Sequence, residues 1–302
     1  MVHDLDSFSA ILTEYSDAEK SAIMMAAADC KRLHKGQYRQ SGEEYYTHPL
    51  QVAEILVNIH MDAAGIQGAL LHDVLEDTSM TRQDLSAKYG KEIEQLVQGV
   101  TKISLVKAKN KTVQEAETIR KMLFAMVKDI RVILIKLADK LHNMRTLEFK
   151  NQQRRVEIAQ ECLDIYAPLA GRLGISWLKD ELEDLSLKHI NPQAYAQIKA
   201  YVAQKKAERG EYLDKVQAAI LEEAKNENFT VTIEKRAKHF YSIYNKMRRR
   251  GKDLDEIYDI LGIRIICESS TDCYALLGLV HKLWMPIEGR FKDYIAMPKS
   301  NR

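Results

Sequence analysis

The chain has 302 residues, with 45 Lys+Arg against 43 Asp+Glu and a formal charge of +2, enough at roughly 150 residues per domain for two domains. Hydrophobic residues make up 46% and charged residues 29%, with only 13 Gly and 5 Pro, which excludes collagen-like and low-complexity disordered classes. The near balance of charge gives no global reason for nucleic-acid or membrane binding, so any such case must be local. The start, MVHDLDSFSAILTEY, is acidic and lacks the basic flank and apolar run of a signal peptide. The longest aliphatic run, Val132-Ile133-Leu134-Ile135, falls far short of the roughly 18 residues a membrane span needs. Cys30, Cys162, Cys267 and Cys273 form no C-x-x-C pair and read as reduced thiols. These features predict a soluble, cytoplasmic protein with no membrane partner.

From Ser16 to about Ala224 apolar residues recur mostly at three- and four-residue spacing, which predicts an all-helical region. Val52, Ile55, Leu56 and Ile59 mark one amphipathic helix, entered through Thr47-His48-Pro49 with Pro near the first turn. Ile66 to Leu75 reads as an apolar helix that carries His72 and Asp73 inside it. The helical texture breaks at His189–Pro192 and resumes from Ala194 to about Asn226. Then the texture changes. Phe229 to Ile233 is a β-branched strand candidate, and a basic aromatic helix is expected over Lys238–Arg250. The second half of Ile257–Cys267 has strand composition, Asp272–Trp284 reads as a helix, and Tyr294–Met297 as strand-like. This order predicts an α+β second domain that begins near residue 195 and is left incomplete at Arg302.

Four segments carry chemistry: His34 to Gly42, His48-Pro49, His72 to Asp77, and Asp139 with His142 to Thr146. Asp73 and Asp139 both sit in apolar helical contexts, where a carboxylate is costly without a partner or a metal. His72/Glu76 and Asp73/Asp77 make two adjacent i,i+4 rows, and Asp139, Asn143 and Thr146 share a helix face. Each feature alone has a bland explanation. A His-Asp pair is usually incidental, His48 could cap a helix, Glu76-Asp77 could be a solvated face, and Asp139 could pair with Lys136 or Lys140. Together they point to a divalent first-row ion, with manganese or iron as plausible as zinc.

HKGQYRQSGEEYYTHP, LLHDVLEDT and KLADKLHNMRTL resemble, in order and spacing, the hydrolase signatures of the Rel (RelA/SpoT homologue) family of alarmone synthetase-hydrolases. The resemblance implies an α-helical HD-type metal hydrolase domain in which His48, His72, Asp73 and Asp139 bind one manganese ion. It implies that Glu76 and Asp77 are catalytic and orient or activate the attacking water. It also implies that Arg39, Ser41, Asn143 and Thr146 hold the guanosine nucleotide, Arg39 by stacking on the base. Gln40 stands where the family is expected to carry Lys, which removes one positive charge beside an anionic substrate.

The stretch Lys235 to Arg250 interleaves basic and aromatic residues, as polyphosphate or nucleic-acid binding needs, although a solvated basic helix face has the same composition. Asp259 follows in an apolar context and could hold magnesium or pair with an arginine. KRAKHFYSIYNKM, DEIYDILGIRII, CYALLGLVHKLW and GRFKDYIAMPKSN resemble the synthetase domain of the same family, with its α+β nucleotidyltransferase-like fold. By that resemblance Arg236, Lys238, Ser242 and Lys246 contact ATP, Asp259 is the Mg2+ ligand, and Lys292 and Lys299 serve the nucleotides. Arg290-x-Lys292-Asp293 has the form of bifunctional members, while Ala237 replaces an expected Pro and Arg302 an expected Gly.

The resemblance covers residues 15 to 302 and implies the N-terminal catalytic part of a bifunctional stringent-response enzyme. Its expected divisions are a hydrolase domain over 1–155, a helical linker over 156–195 and a truncated synthetase domain over 196–302. The implied reaction takes ppGpp or pppGpp to GDP or GTP plus pyrophosphate. Ribosome contact would belong to C-terminal regions not in this sequence. The competing readings are a catalytically silent guanine-nucleotide sensor and a generic HD phosphohydrolase acting on other nucleotides.

Overall fold

A computed structural model describes residue 2 and residues 4–104, 111–251, 253–257 and 259–298. The chain separates into two compact units, Met1–Pro192 and Gln193–Arg302. The first is helical throughout: α1 (Leu5–Ala10), α2 (Asp17–Leu33), α3 (Thr47–Val57), α4 (Ala63–Leu70), α5 (Val74–Asp77), α6 (Arg82–Ser104), α7 (Lys111–Lys128), α8 (Ile130–Arg145), α9 (Gln152–Glu161), α10 (Ala167–Arg172) and α11 (Ser176–Ile190). Side-chain caps set several of the starts. Ser16 and Glu19 form a capping box on α2, and Asp62, Asp129 and Asn151 cap α4, α8 and α9.

The apolar stripes meet in one core. Helix α4 packs on α2, α3 and α6, and α8 packs on α3, α6 and α7. Ile23, Leu50, Ile66, Leu70, Leu96 and Ile135 are buried there. The core continues through Ala159, Cys162, Tyr166 and Leu182, so α9, α10 and α11 share it. One turn of π-helix, Cys162–Tyr166, joins α9 to α10. Gly90 sits at φ 84° inside α6 and kinks it, a conformation that a side chain would oppose.

The second unit holds α12 (Pro192–Asn226), β1 (Thr232–Ala237), α13 (Phe240–Arg250), β2 (Leu261–Ile266) and α14 (Ser270–Leu283). Strands β1 and β2 pair antiparallel, with Thr232 opposite Ile266 and Ala237 opposite Leu261. The chain is therefore mostly helical with one small sheet, in the expected order of an all-α part followed by an α+β part. Among the described residues no helix is long and apolar enough to cross a membrane.

Three local expectations need correction. Residues 71–73 are a turn between α4 and α5, so His72 and Asp73 stand at a helix break. The His72 ring takes the Ala69 carbonyl at 2.8 Å, engaging an acceptor at the end of α4. The first strand begins at Thr232, not Phe229, because pairing with β2 selects the register. Tyr294–Met297 is a turn: Asp293 Oδ1 accepts from the Ile295 and Ala296 amides at 2.9 and 2.8 Å, and this local bonding competes with a strand.

Candidate metal centre and nucleotide cleft

Three separate elements supply the centre. His48 lies in the first turn of α3, His72 and Asp73 lie at the break after α4, and Asp139 lies in the third turn of α8. Tertiary packing brings ligand atoms of His48, His72 and Asp139 within 4.8 Å of one another, all three residues buried. His48 Nε2 is 3.2 Å from Asp139 Oδ1 and 3.8 Å from Asp73 Oδ2. His72 Nε2 is 3.1 Å from Asp73 Oδ2 and 4.0 Å from Asp139 Oδ1.

The surrounding bonds decide the tautomers. Arg39 Nη1 can only donate, and it lies 2.9 Å from His142 Nδ1, so that nitrogen is an acceptor. His48 Nδ1 lies 2.6 Å from the same nitrogen; as the donor there it shares the single His142 lone pair with Arg39 and leaves His48 Nε2 bare. His142 Nε2–H then donates to Gln51 Oε1 at 2.7 Å. His72 Nδ1–H donates to the Ala69 carbonyl, and His72 Nε2 is buried with no hydrogen-bond partner. Two bare imidazole nitrogens thus face two carboxylates.

That arrangement demands positive charge, and its hard and borderline donors suit a divalent cation. Electrostatics point the same way. Burial opposes protonation of His72, yet the Asp73 carboxylate charge, 3.1 Å from Nε2, outweighs it and lifts the imidazole to about 9. In the metal-free chain a proton on His72 meets the demand that a cation otherwise would. Burial would raise Asp73, but His72 outweighs it and holds the carboxyl low. Burial likewise opposes ionisation of Asp139, and Lys136 with the two histidines overrides it. Lys136 Nζ reaches Asp139 Oδ2 at 2.7 Å. The suspected Lys136 pairing exists, but inside the site, leaving Asp139 Oδ1 for the histidines.

Glu76 and Asp77 stand one turn on. Burial, then the neighbouring Asp73 charge, raises the Glu76 carboxyl, which suits a group that exchanges protons. Asp77 shares the Tyr45 hydroxyl with Asp73, at 2.9 and 2.8 Å. Gln37 Nε2 donates to the Asp77 carbonyl at 2.7 Å.

Beside this cluster a loop forms a short hairpin: the Arg39 amide donates to Glu43 O, and Gly42 turns it at φ 90°. Arg39 Nη2 then reaches Asn143 Oδ1 at 3.1 Å and Thr146 Oγ1 at 3.2 Å. Asn143 Nδ2 in turn donates to Asp139 Oδ1 at 2.5 Å. Arg39, Asn143 and Thr146 therefore form one group, and with Ser41, Tyr45 and Phe149 they line a cleft of about 270 Å³. Ser41 Oγ itself bonds Glu43. Three of Arg39's five N–H bonds are committed to protein acceptors, so the flat face of the guanidinium is its main remaining contact surface.

The sequence reading did not single out Tyr45, Gln51, Lys136 or His142 as functional. His142 lies three residues after Asp139 and Tyr45 three before His48, and that spacing was the available signal.

In the second unit Lys238 and Lys246 converge on Asp259, at 2.8 Å to Oδ2 and 2.5 Å to Oδ1. Burial alone would raise this carboxyl, but the two ammonium groups hold it well below the usual range. Ser242 lies one turn before Lys246 on α13, and Arg236 pairs with Gly262 in the sheet. Lys292 is exposed beyond α14, and no hydrogen bond or ion pair among the described residues joins it to Asp259. Lys299 lies outside the described residues. The thiols of Cys267 and Cys273 stand 3.3 Å apart.

Fold and site together define a helical domain with a His/His/Asp cluster that fits a divalent cation, followed by a small α+β unit. Residues 26–176 match the HD domain family, and residues 235–302 match the region found in RelA/SpoT proteins. The chain belongs to the HD-domain family and carries a region found in RelA/SpoT proteins. It is 46% identical over 290 residues to the guanosine-3′,5′-bis(diphosphate) 3′-pyrophosphohydrolase of Borreliella burgdorferi, covering 96% of this chain and 44% of that protein. It is also 46% identical over 290 residues to the GTP pyrophosphokinase of Myxococcus xanthus, covering 95% of this chain and 38% of that one. The chain thus spans less than half the length of these curated relatives. Among solved structures, that of a metazoan SpoT orthologue aligns at 26% identity and a TM-score of 0.37, over 59% of this chain and 90% of its own.

Proposed function

We infer that this chain hydrolyses the 3′-pyrophosphate of ppGpp or pppGpp, yielding GDP or GTP plus pyrophosphate, with manganese held by His48, His72, Asp73 and Asp139. The observation that carries this reading is the pair of bare, buried imidazole nitrogens facing Asp73 and Asp139 beside the Arg39 cleft. The names of the Borreliella and Myxococcus relatives supply the substrate class. Bound there, the divalent cation supplies Lewis-acid chemistry, activating water and offsetting phosphate charge.

The protein's own groups do the rest. The face of Arg39 stacks on the guanine, while Asn143, Thr146 and Ser41 bond the nucleoside. Glu76, raised by burial and by Asp73, takes a proton at its carboxylate from the water that attacks the 3′-linked phosphorus. Asp77, fixed by Tyr45 and Gln37, orients that water. As the bond from phosphorus to the 3′-oxygen breaks, a proton returns to that oxygen and pyrophosphate leaves. Lys136 keeps Asp139 ionised throughout.

We assign residues 1–155 to the hydrolase and 156–195 to a helical linker. Residues 196–302 form a synthetase-related domain, where the whole protein would transfer pyrophosphate from ATP to GDP or GTP. Asp259 would take magnesium there, with Lys238 and Lys246 turning from it to the phosphates, and Arg236, Ser242, Lys292 and Lys299 serving the same nucleotide. A cytoplasmic reaction is part of the same proposal, in keeping with soluble nucleotide substrates. The test is pyrophosphate release from ppGpp after chelator stripping, with and without added manganese. Manganese-dependent release supports the reading. Tight guanine-nucleotide binding without release would favour a silent sensor, and equal turnover of unrelated nucleotides a generic HD phosphohydrolase.

A further inference from the structure

A cavity of about 740 Å³ lies away from the metal centre, among α6, α7 and the start of α8, within the size range of small-molecule sites. Its floor is apolar, built from the buried Leu96, Ile103 and Val132. Gly99 lets α6 pass so close to Val132 that a Cβ would meet its side chain at 2.8 Å. The walls are basic: Arg82, Lys102, Arg120, Lys121 and Lys128 line it against one carboxylate, Asp129. That carboxylate is already taken, since Arg131 holds both its oxygens at 3.0 and 2.7 Å.

Two of the wall cations have carboxylate partners, Arg82 with Glu94 and Arg120 with Glu117. Among the described residues the three lysines have none. Lys102 bonds the neutral Gln98 amide, Lys121 bonds the Lys102 carbonyl, and no ion pair among the described residues reaches Lys128. Like charges gathered around a cavity attract an anion and focus its potential there. Phe124 lines the same space with 64% of its surface exposed. An exposed phenyl ring beside these lysines offers stacking to a base and charge to its phosphates.

We propose that the cavity between α6 and α7 is a second nucleotide site, which takes a nucleoside polyphosphate with its phosphates on Lys102, Lys121 and Lys128 and its base on Phe124. None of these residues belongs to the metal set or the Arg39 cleft, so the inference stands independently of the hydrolytic reading. The test is titration of the methyl-labelled full chain with ATP, followed by NMR, with tripolyphosphate as a second probe. Saturable shifts at the Leu96, Ile103 and Val132 methyls are expected, with tripolyphosphate binding more weakly than ATP. A Lys102→Gln/Lys128→Gln double variant, at exposed positions, should weaken ATP at these methyls by about tenfold or more. Phe124→Ala should weaken ATP and leave tripolyphosphate unchanged. Shifts confined to residues around Arg39 or Asp259, or a double variant that titrates like the parent, would overturn the proposal.

Discussion

His142 offers the sharpest test of how the centre is built. It accepts from His48 Nδ1 at 2.6 Å and Arg39 Nη1 at 2.9 Å, and donates to Gln51 Oε1 at 2.7 Å. Burial, then the His48 and Arg39 charges, depresses it to about 2, so it stays a neutral acceptor at any working pH. His142→Leu removes that acceptor while keeping the site filled. Loss of a partner that orients a ligand histidine typically costs 10–100-fold in metal affinity, about 1.4–2.7 kcal/mol. The orphaned His48 and Gln51 groups should also cost roughly 2–6 kcal/mol of stability, at about 1–3 kcal/mol for each buried unsatisfied group. Manganese affinity is read by competition with a chromophoric chelator, and folding by circular dichroism and thermal melting. The KM for ppGpp should rise as well, since Arg39 loses an anchor. A folded variant with metal affinity within twofold of the parent would refute the orienting chain.

Glu76→Gln should leave manganese affinity unchanged and reduce turnover by about 10²–10⁴-fold, the usual worth of a general base; comparable loss of metal would make Glu76 a ligand instead. In the metal-free chain His72 is raised to about 9, so it contributes stability fully present below its unfolded value of 6.5 and lost as pH rises through about 9. A metal must displace that proton. Calorimetry at pH 7.5 in buffers of different ionisation enthalpy should show nearly one proton released, falling towards none by about pH 10, and buffer-independent heats would contradict this. Gly99→Ala places a Cβ against Val132 at 2.8 Å, and such overpacking should cost about 1–3 kcal/mol, visible as a lower melting temperature.

Much of the site was legible as residue types and spacing. The residue types of His72 to Asp77 and the Asp139, Asn143, Thr146 face appear in the sequence, and the resemblance supplied roles for them, but the i,i+4 rows assume a helix that breaks at residues 71–73. The second unit was less legible. The strand register there depends on the β1–β2 pairing, and the strand-like composition of Tyr294–Met297 was overridden by the Asp293 turn.

What the sequence by itself determined is the helical periodicity, the caps that start α2, α4, α8 and α9, and the set of groups able to bind a cation. Each depends on neighbours within a turn or two, where local sterics and hydrogen bonding act. Tertiary structure alone decided that His48, His72 and Asp139 meet, with 66 residues between Asp139 and its nearest partner in sequence, His72. It also assigned the tautomers through Arg39, His142 and Ala69, made Tyr45 the bridge between Asp73 and Asp77, and turned Lys136 inward. A repeating pattern specifies which face of a helix is apolar. It says nothing of which other face it will bury against, and long-range packing settles that.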